Sequence, residues 1–171
     1  NNSITQIHSD DFNYESLYDT VKLKSYQFKI VTSGAHYFPV GRQAVFKAAA
    51  NAGVYQSPNT YVNELFQIGG YKLLRGFDEE SIYTNAYAVG TAEYRYLIGQ
   101  NAYFFGFSDF GYAAYKVQNV KFNHTYIGLG VGMALQTKAG ILNLSYAVGK
   151  RDDTKLNMQQ AKIHIGFVSL F

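Results

Sequence analysis

The sequence predicts an all-β protein, an antiparallel β-barrel that crosses a membrane. Its composition is the first reason: the 171 residues include 16 Tyr, 13 Phe and 16 Gly but only 2 Pro, which suits pleated strands joined by tight turns. The second reason is that about seven segments alternate between large apolar residues and small or polar ones. The third is that short turns alternate with longer polar connections, as they do in membrane barrels.

Composition and charge also exclude several classes of protein. The chain contains no run of about 18 apolar residues, so a transmembrane helix is excluded. Its net charge is +3 and its basic residues are scattered along the sequence, so nucleic acid is not expected as a partner. The absence of cysteine excludes disulfides and thiol chemistry.

The first part of the chain contains two predicted strands. Residues 1–24 are mostly polar, and we interpret them as a loop or tail that precedes the barrel portion. An alternating pattern runs over residues 22–37, and residues 38–41 form a turn. Residues 43–55 alternate again; an alanine-rich helix is the alternative there, but the β-branched and aromatic residues and the flanking turns favour a strand.

A long connection and five further strands follow. A connection as long as residues 56–86 is uncommon inside a tight meander and is usually functional. The later strands are predicted at residues 87–98, 102–115, 126–137, 141–149 and 162–171. Between them lie short turns at residues 99–101 and 138–140 and polar loops at residues 116–125 and 150–160.

The two faces of the best strands differ in character. Ile127, Leu129 and Val131 share one face of their strand, and only Gly and other small or polar residues occupy the opposite face. In a soluble barrel the large apolar face would fill the interior, whereas in a membrane barrel it faces lipid. The tyrosine-rich strand ends favour the membrane interpretation, because amphipathic rings prefer the lipid–water interface. The residues then expected to face the lumen are Gln27, Lys47, Glu93, Arg95, Asn143 and His164.

The end of the chain resembles the C-terminal signal of outer-membrane barrels, which the assembly machinery recognises. Apolar residues alternate up to a terminal phenylalanine, and they are Ile163, Ile165, Phe167 and Phe171. The alternative is a final core strand that ends in Phe by coincidence.

The long connection carries a glycine-punctuated motif, Gly69-Gly70 followed by Leu74-Arg75-Gly76-Phe77. It is similar to the signature loop of the BamA/TamA-type outer-membrane assembly-factor superfamily, also called the bacterial surface antigen family, whose core is Arg-Gly-Phe or Arg-Gly-Tyr. The alternative is a solvent-exposed loop with an incidental Arg-Gly-Phe.

The resemblance implies that this loop folds back into the barrel lumen and that its arginine meets acidic residues of the inner wall. The matching arginine is Arg75, and the acids that follow on the next two strands are Glu93 and Asp109. Glu93 lies on the polar face by its own alternation, whereas the strand of Asp109 is aromatic on both faces. The chemistry is suitable, because a guanidinium is a fixed fork of donors that matches carboxylates and Gly76 permits a tight turn.

The resemblance also implies a sixteen-stranded barrel in the bacterial outer membrane, of which residues 25–171 would supply about the last seven strands. Upstream strands and POTRA repeats would belong to a longer gene product. The implied function is assembly or insertion of outer-membrane proteins, or translocation of a polypeptide. The implied partners are outer-membrane lipid, unfolded outer-membrane or secreted polypeptides, and accessory assembly subunits.

Other functions remain open from the sequence. One alternative within the superfamily is a two-partner-secretion transporter. A passive pore, or a barrel that anchors a fused domain, is another, and a soluble lipid-binding barrel is the third.

No other motif indicates catalysis or a cofactor. The four histidines lack metal-ligand spacing, and no nucleophile triad is recognisable. The acid runs at residues 78–80 and 152–153 would permit a cation, although solvated loop charges explain them more simply. Glycines at residues 128–132 alternate through a strand instead of opening a helix, which argues against a phosphate cradle. We therefore expect no enzyme, no cofactor and no metal.

Overall fold

The computed structural model describes residues 26–58 and 60–169, and these form an antiparallel sheet with an elaborate connection packed on it. In chain order the strands are β1 (Phe28–Pro39), β2 (Ala44–Gln56), β3 (Phe66–Ile68), β4 (Ile82–Thr84), β5 (Ala86–Leu97), β6 (Tyr103–Val117), β7 (Val120–Gln136), β8 (Gly140–Arg151) and β9 (Lys162–Ser169). The only helical pieces in this part of the chain are two short 3-10 turns, at Val62–Glu64 and Met158–Gln160.

Seven of the strands form one sheet in the order β1-β2-β5-β6-β7-β8-β9, and every neighbouring pair is antiparallel. The sheet is therefore a meander interrupted once, where β3 and β4 pair with each other inside the connection between β2 and β5. Within the described residues β1 and β9 are the edges and do not pair with each other, so the sheet is open.

Alternation along the strands gives the sheet two distinct faces. We call the face against which the connection packs the loop face, and the opposite one the open face. Glu93 and Phe107 are register partners on the loop face, and both are buried. Val131 and Ile165 lie on the open face and are 62% and 69% exposed. Large apolar side chains thus cover the open face without any covering layer among the described residues.

The hydrophobic core lies between the connection and the loop face. Leu74 and the β3 residues Phe66 and Ile68 pack there against Val89 of β5 and Tyr126 of β7. Burial of these side chains holds the connection on the sheet, since each fully buried large apolar side chain contributes roughly 1.5–3 kcal/mol.

Two features of the predicted pattern are confirmed. The alanine-rich segment is a strand, β2, and pairs along its length with both β1 and β5. The turns near residues 99–101 and 138–140 join β5 to β6 and β7 to β8. At the start of the chain the boundaries differ: β1 begins at Phe28 and extends to Pro39, so the first turn lies at residues 40–43. The prediction for residues 1–24 falls outside the described residues.

The predicted polar loop at residues 116–125 is wrong. Strands β6 and β7 continue through it as a two-stranded extension and meet in a turn at Gln118. Tyr115 stacks on Phe122, with ring centroids 4.5 Å apart, and Val117 pairs with Val120. Aromatic and β-branched cross-strand pairs stabilise an antiparallel pair, which outweighs the polar residues between them.

Among the described residues, none of the helical pieces has the length and hydrophobicity needed to cross a membrane.

Candidate functional site

The connection between β2 and β5 lies over the loop face instead of extending away from the sheet. Within it, β3 and β4 pair with each other and bring the two ends of the segment between them together. The 3-10 turn before β3 is held near β1, because Glu64 accepts a hydrogen bond of 2.9 Å from the Gln27 side chain. The segment between β3 and β4 contains the Arg-Gly-Phe motif, and we call residues 69–81 the inner loop. This arrangement delivers the motif to the middle of the loop face.

Arg75 lies at the tip of the inner loop and binds two carboxylates. Its Nε and Nη2 donate to Oδ2 and Oδ1 of Asp109, both at 2.9 Å, and its backbone N–H donates to Oδ2 at 2.9 Å. Its Nη1 donates to Oε2 of Glu93 at 2.6 Å. One edge of the guanidinium therefore binds Asp109 of β6 through two hydrogen bonds, and the remaining nitrogen binds Glu93 of β5.

Both acids are buried and have further partners. Glu93 is 3% exposed and Asp109 is 1% exposed. Thr91 Oγ1 donates to Asp109 Oδ1 at 2.8 Å, and Arg95 Nε donates to Glu93 Oε1 at 2.7 Å. Two guanidinium groups thus face two carboxylates, and this balance offsets the cost of burying each charge.

An aromatic ring completes the arginine pocket. The Cζ atom of Arg75 lies 3.5 Å from the centroid of Phe107, so the planar cation stacks on the ring face. Phe107 is two residues before Asp109 and on the same face of β6, which is the period of a strand.

Arg75 remains a cation in this pocket. Burial lowers the pKa of its guanidinium, but the hydrogen bonds and charges of Asp109 and Glu93 outweigh burial, so the pKa is raised above its ordinary value. Deprotonation of Arg75 is therefore not the way in which its contacts with Asp109 and Glu93 are broken.

The backbone around Arg75 is held in an uncommon conformation. Leu74 has φ of +61° and is 1% exposed, and Gly76 has φ of +96°. A side chain at position 76 would also collide with β8, because its Cβ would fall within 2.7 Å of Val148 and Gly149 backbone atoms. Only glycine fits there, and the left-handed conformation of Leu74 costs about 1–3 kcal/mol, which its burial helps to offset.

Two sheet glycines leave the space that the tip occupies. A Cβ at Gly128 of β7 would overlap the carbonyl oxygen of Arg75. A Cβ at Gly149 of β8 would lie 2.5 Å from the carbonyl oxygen of Gly76 and 2.8 Å from the Phe77 ring. Gly128 and Gly149 are register partners, so together they form one shallow groove across the two strands.

The inner loop also contacts the last described strand. The backbone N–H of Gly76 donates to Nε2 of His164 at 3.1 Å, and Lys162 Nζ lies 2.7 Å from Asp78 Oδ1. The ring of Tyr71 covers Gly166, where a Cβ would overlap it. The loop thus spans the loop face from β5 to β9.

The predicted site residues have the following positions. Gly69 and Gly70 lie at the base of the inner loop, where the Gly69 carbonyl accepts from the Glu80 N–H and the Gly70 N–H donates to the Leu74 carbonyl. Phe77 packs edge-to-face on Tyr126, with centroids 5.3 Å apart. The terminal apolar residues lie exposed on the open face, and they are Ile163, Ile165 and Phe167. Phe171 falls outside the described residues.

Sequence reasoning did not assign several contacts of the loop. Strand alternation placed Arg95 and His164 on the same face as Glu93 but gave them no partner. Thr91 and Phe107 follow the same period-two pattern as the acids. For Gly128 and Gly149 the sequence indicated only that small residues lie on the face opposite the large apolar ones. The folded structure shows that the loop tip fills the space beside them.

The acid runs have partners within the chain. His124 Nδ1 lies 2.8 Å from Asp152 Oδ1, and Arg151 binds Asp153. The hydrogen bond from His124 lowers the pKa of Asp152, and the one from Arg151 lowers the pKa of Asp153. One ligand atom of each of His124, Asp152 and Asp153 lies within 4.8 Å of the others, but the contacts to His124 and Arg151 already account for the cluster.

Comparison with models of known protein families matches residues 7–167 to the Omp85 superfamily domain. A search of curated proteins finds no match to this chain.

Proposed function

The chain belongs to the Omp85 superfamily of outer-membrane assembly and translocation β-barrels, and we propose that it forms the C-terminal part of such a barrel in a bacterial outer membrane. In this proposal the seven-stranded sheet is the last portion of a sixteen-stranded barrel. Its loop face lines the lumen and its open face contacts lipid.

One observation carries the proposal: Arg75 of the inner loop is held by Asp109 and Glu93 on the loop face. A loop that binds an inner wall through a buried charge network has a defined docked state. Breaking the network leaves uncompensated charge and costs about 3–5 kcal/mol. The docked loop therefore fixes the curvature and registry of the strands that it spans.

The open face supports membrane insertion. Ile163, Ile165 and Phe167 are more than half exposed on β9, as is Val131 on β7. A contiguous apolar surface of this kind is unusual for a protein dissolved in water. Lipid acyl chains are the partner that matches it.

The proposed mechanism is non-covalent and uses the edge of β9. An unpaired strand edge presents backbone donors and acceptors to another extended chain. In the full barrel β9 would pair with the first strand, and opening of this seam would let an unfolded outer-membrane or secreted polypeptide add as a strand. Accessory subunits would act on upstream domains.

The experiment is reconstitution of the full-length protein into vesicles of outer-membrane lipid, with Arg75→Ala as the test variant and Arg75→Lys as the control. The wild-type protein is expected to accelerate the folding of an unfolded barrel substrate, and Arg75→Ala is expected to lose most of that acceleration. Equal activity of the wild type and Arg75→Ala would overturn the proposed role of the loop.

Two further outcomes separate the related functions. Export of one passenger polypeptide without folding of barrel substrates would assign a two-partner-secretion transporter. A large and steady single-channel conductance, together with no effect on either substrate class, would assign a passive pore or an anchor.

A further inference from the structure

His164 of β9 binds the inner loop next to its arginine. Its Nε2 accepts a hydrogen bond of 3.1 Å from the backbone N–H of Gly76, and the ring is buried. The side chain of Arg75 binds β5 and β6, while the next residue binds β9, three strands further along the sheet. The tip of the loop therefore joins two distant parts of the sheet through adjacent residues.

The chemistry of this contact depends on the protonation of the ring. An imidazole nitrogen accepts a hydrogen bond only when it carries no proton, and both nitrogens of the protonated ring are donors. A protonated His164 would place its Nε2–H against the Gly76 N–H, which is a contact between two donors. Histidine is the side chain that changes charge near neutral pH.

The charged groups around His164 are of both signs. Arg75, Asp78 and Glu79 of the inner loop and Lys162 of β9 lie close enough to act on it electrostatically. Its register partner on β8 is Ser145, which is neutral. Asp78 is already bound by Lys162 at 2.7 Å, and Glu79 accepts a hydrogen bond of 3.0 Å from the backbone N–H of Tyr71.

We propose that His164 is a positioning residue which ties the inner loop to β9 while its ring is neutral, and that proton uptake by the ring frees β9 from the loop while Arg75 stays bound to β5 and β6. This inference rests on the proposed function, in which β9 forms the seam of the barrel. Release of the contact would make the seam strand independent of the docked loop, which couples seam opening to pH.

The test is hydrogen exchange of the loop segment that contains Gly76, measured by mass spectrometry on the full-length protein in detergent micelles. Wild type, His164→Gln and His164→Ala are compared at about pH 7.5 and at about pH 4.5, roughly one unit above and two units below the usual imidazole pKa. Glutamine offers a neutral acceptor at both pH values, and alanine offers none. Comparison at one pH removes the intrinsic pH dependence of exchange, because position 164 is remote in sequence from Gly76.

At the higher pH we expect wild type and His164→Gln to exchange at the same rate and His164→Ala to exchange several-fold faster. At the lower pH wild type is expected to exchange several-fold faster than His164→Gln. Equal rates for wild type and His164→Gln at both pH values would overturn the proposal. Loss of protection in His164→Gln at the higher pH would overturn it as well, and so would retained protection in His164→Ala.

The exchange measurement needs no substrate, so it can fail or succeed independently of the proposed function. A wild-type protein that folds or translocates no substrate, together with the expected exchange pattern, would remove the proposed function and leave the loop contact. In a reconstituted assay the pH profile of substrate folding is expected to be flatter for His164→Gln than for wild type, and a merely structural role would not flatten it.

Discussion

Arg75 and Asp109 are joined by three hydrogen bonds of 2.9 Å, two from the guanidinium and one from the backbone N–H of Arg75. The aspartate therefore holds both the side chain and the main chain of the loop tip. A lysine could replace the charge but not this bidentate geometry. The loop is fixed in orientation as well as in position.

Replacement of Arg75 by alanine is expected to undock the inner loop while leaving the barrel extractable with detergent. Glu93 and Asp109 would remain buried beside one another with less compensating charge, at a cost of about 3–5 kcal/mol. Limited proteolysis in micelles should cleave the inner loop faster in the variant than in wild type. Arg75→Lys is the matched control and should give an intermediate rate of cleavage. Equal protection of all three proteins would contradict the conclusion that the buried charge network holds the inner loop.

Neutralisation of the two acids is expected to have unequal effects. Asp109→Asn disturbs three hydrogen bonds from Arg75 and one from Thr91, whereas Glu93→Gln disturbs one bond from Arg75 and one from Arg95. Asp109→Asn should therefore release the loop more than Glu93→Gln. Hydrogen exchange of the inner loop measures which variant releases the loop more. A larger effect of Glu93→Gln would show that the bidentate pair of Arg75 and Asp109 is not the main anchor.

Substitution of Gly128 by alanine is expected to displace the loop tip without breaking the sheet. The new methyl group would overlap the carbonyl oxygen of Arg75, and overpacking of this kind typically costs about 1–3 kcal/mol. Gly90→Ala is the control, since a Cβ at Gly90 meets nothing within 4 Å. Proteolysis of the loop should accelerate in Gly128→Ala only; the same rate in both variants would argue against a groove on β7.

Replacement of Phe107 by leucine is expected to weaken the arginine pocket modestly. The ring centroid lies 3.5 Å from Arg75 Cζ, and a desolvated cation–π contact contributes about 1–2 kcal/mol, while leucine retains much of the apolar burial. Loop exchange should increase less than in Asp109→Asn. The control is Phe110→Leu on the open face of the same strand, which should leave exchange of the inner loop unchanged.

Much of the architecture could be read from the sequence, because strand period is a local property. Alternation identified seven strands and assigned Glu93, Arg95 and His164 to one face, since successive side chains of a strand point to opposite faces. The prediction differed from the structure at the bounds of the first strand, in the β3–β4 pair inside the predicted connection, and at residues 116–125. In that last segment polar residues suggested a loop where aromatic stacking helps to hold a strand pair together.

By itself the sequence determined the all-β class, the strand faces and the Arg-Gly-Phe motif, each of which depends on neighbours along the chain. The family resemblance named Glu93 and Asp109 as expected partners of Arg75, but only the tertiary structure decided the three-bond geometry at Asp109. It alone also decided that Gly128 and Gly149 accommodate the tip and that His164 receives the N–H of Gly76. The physical reason is that these contacts join residues between 34 and 88 positions apart, and the way a long loop folds over a sheet is set by packing and charge across it. No local sequence pattern encodes these contacts between the inner loop and the sheet.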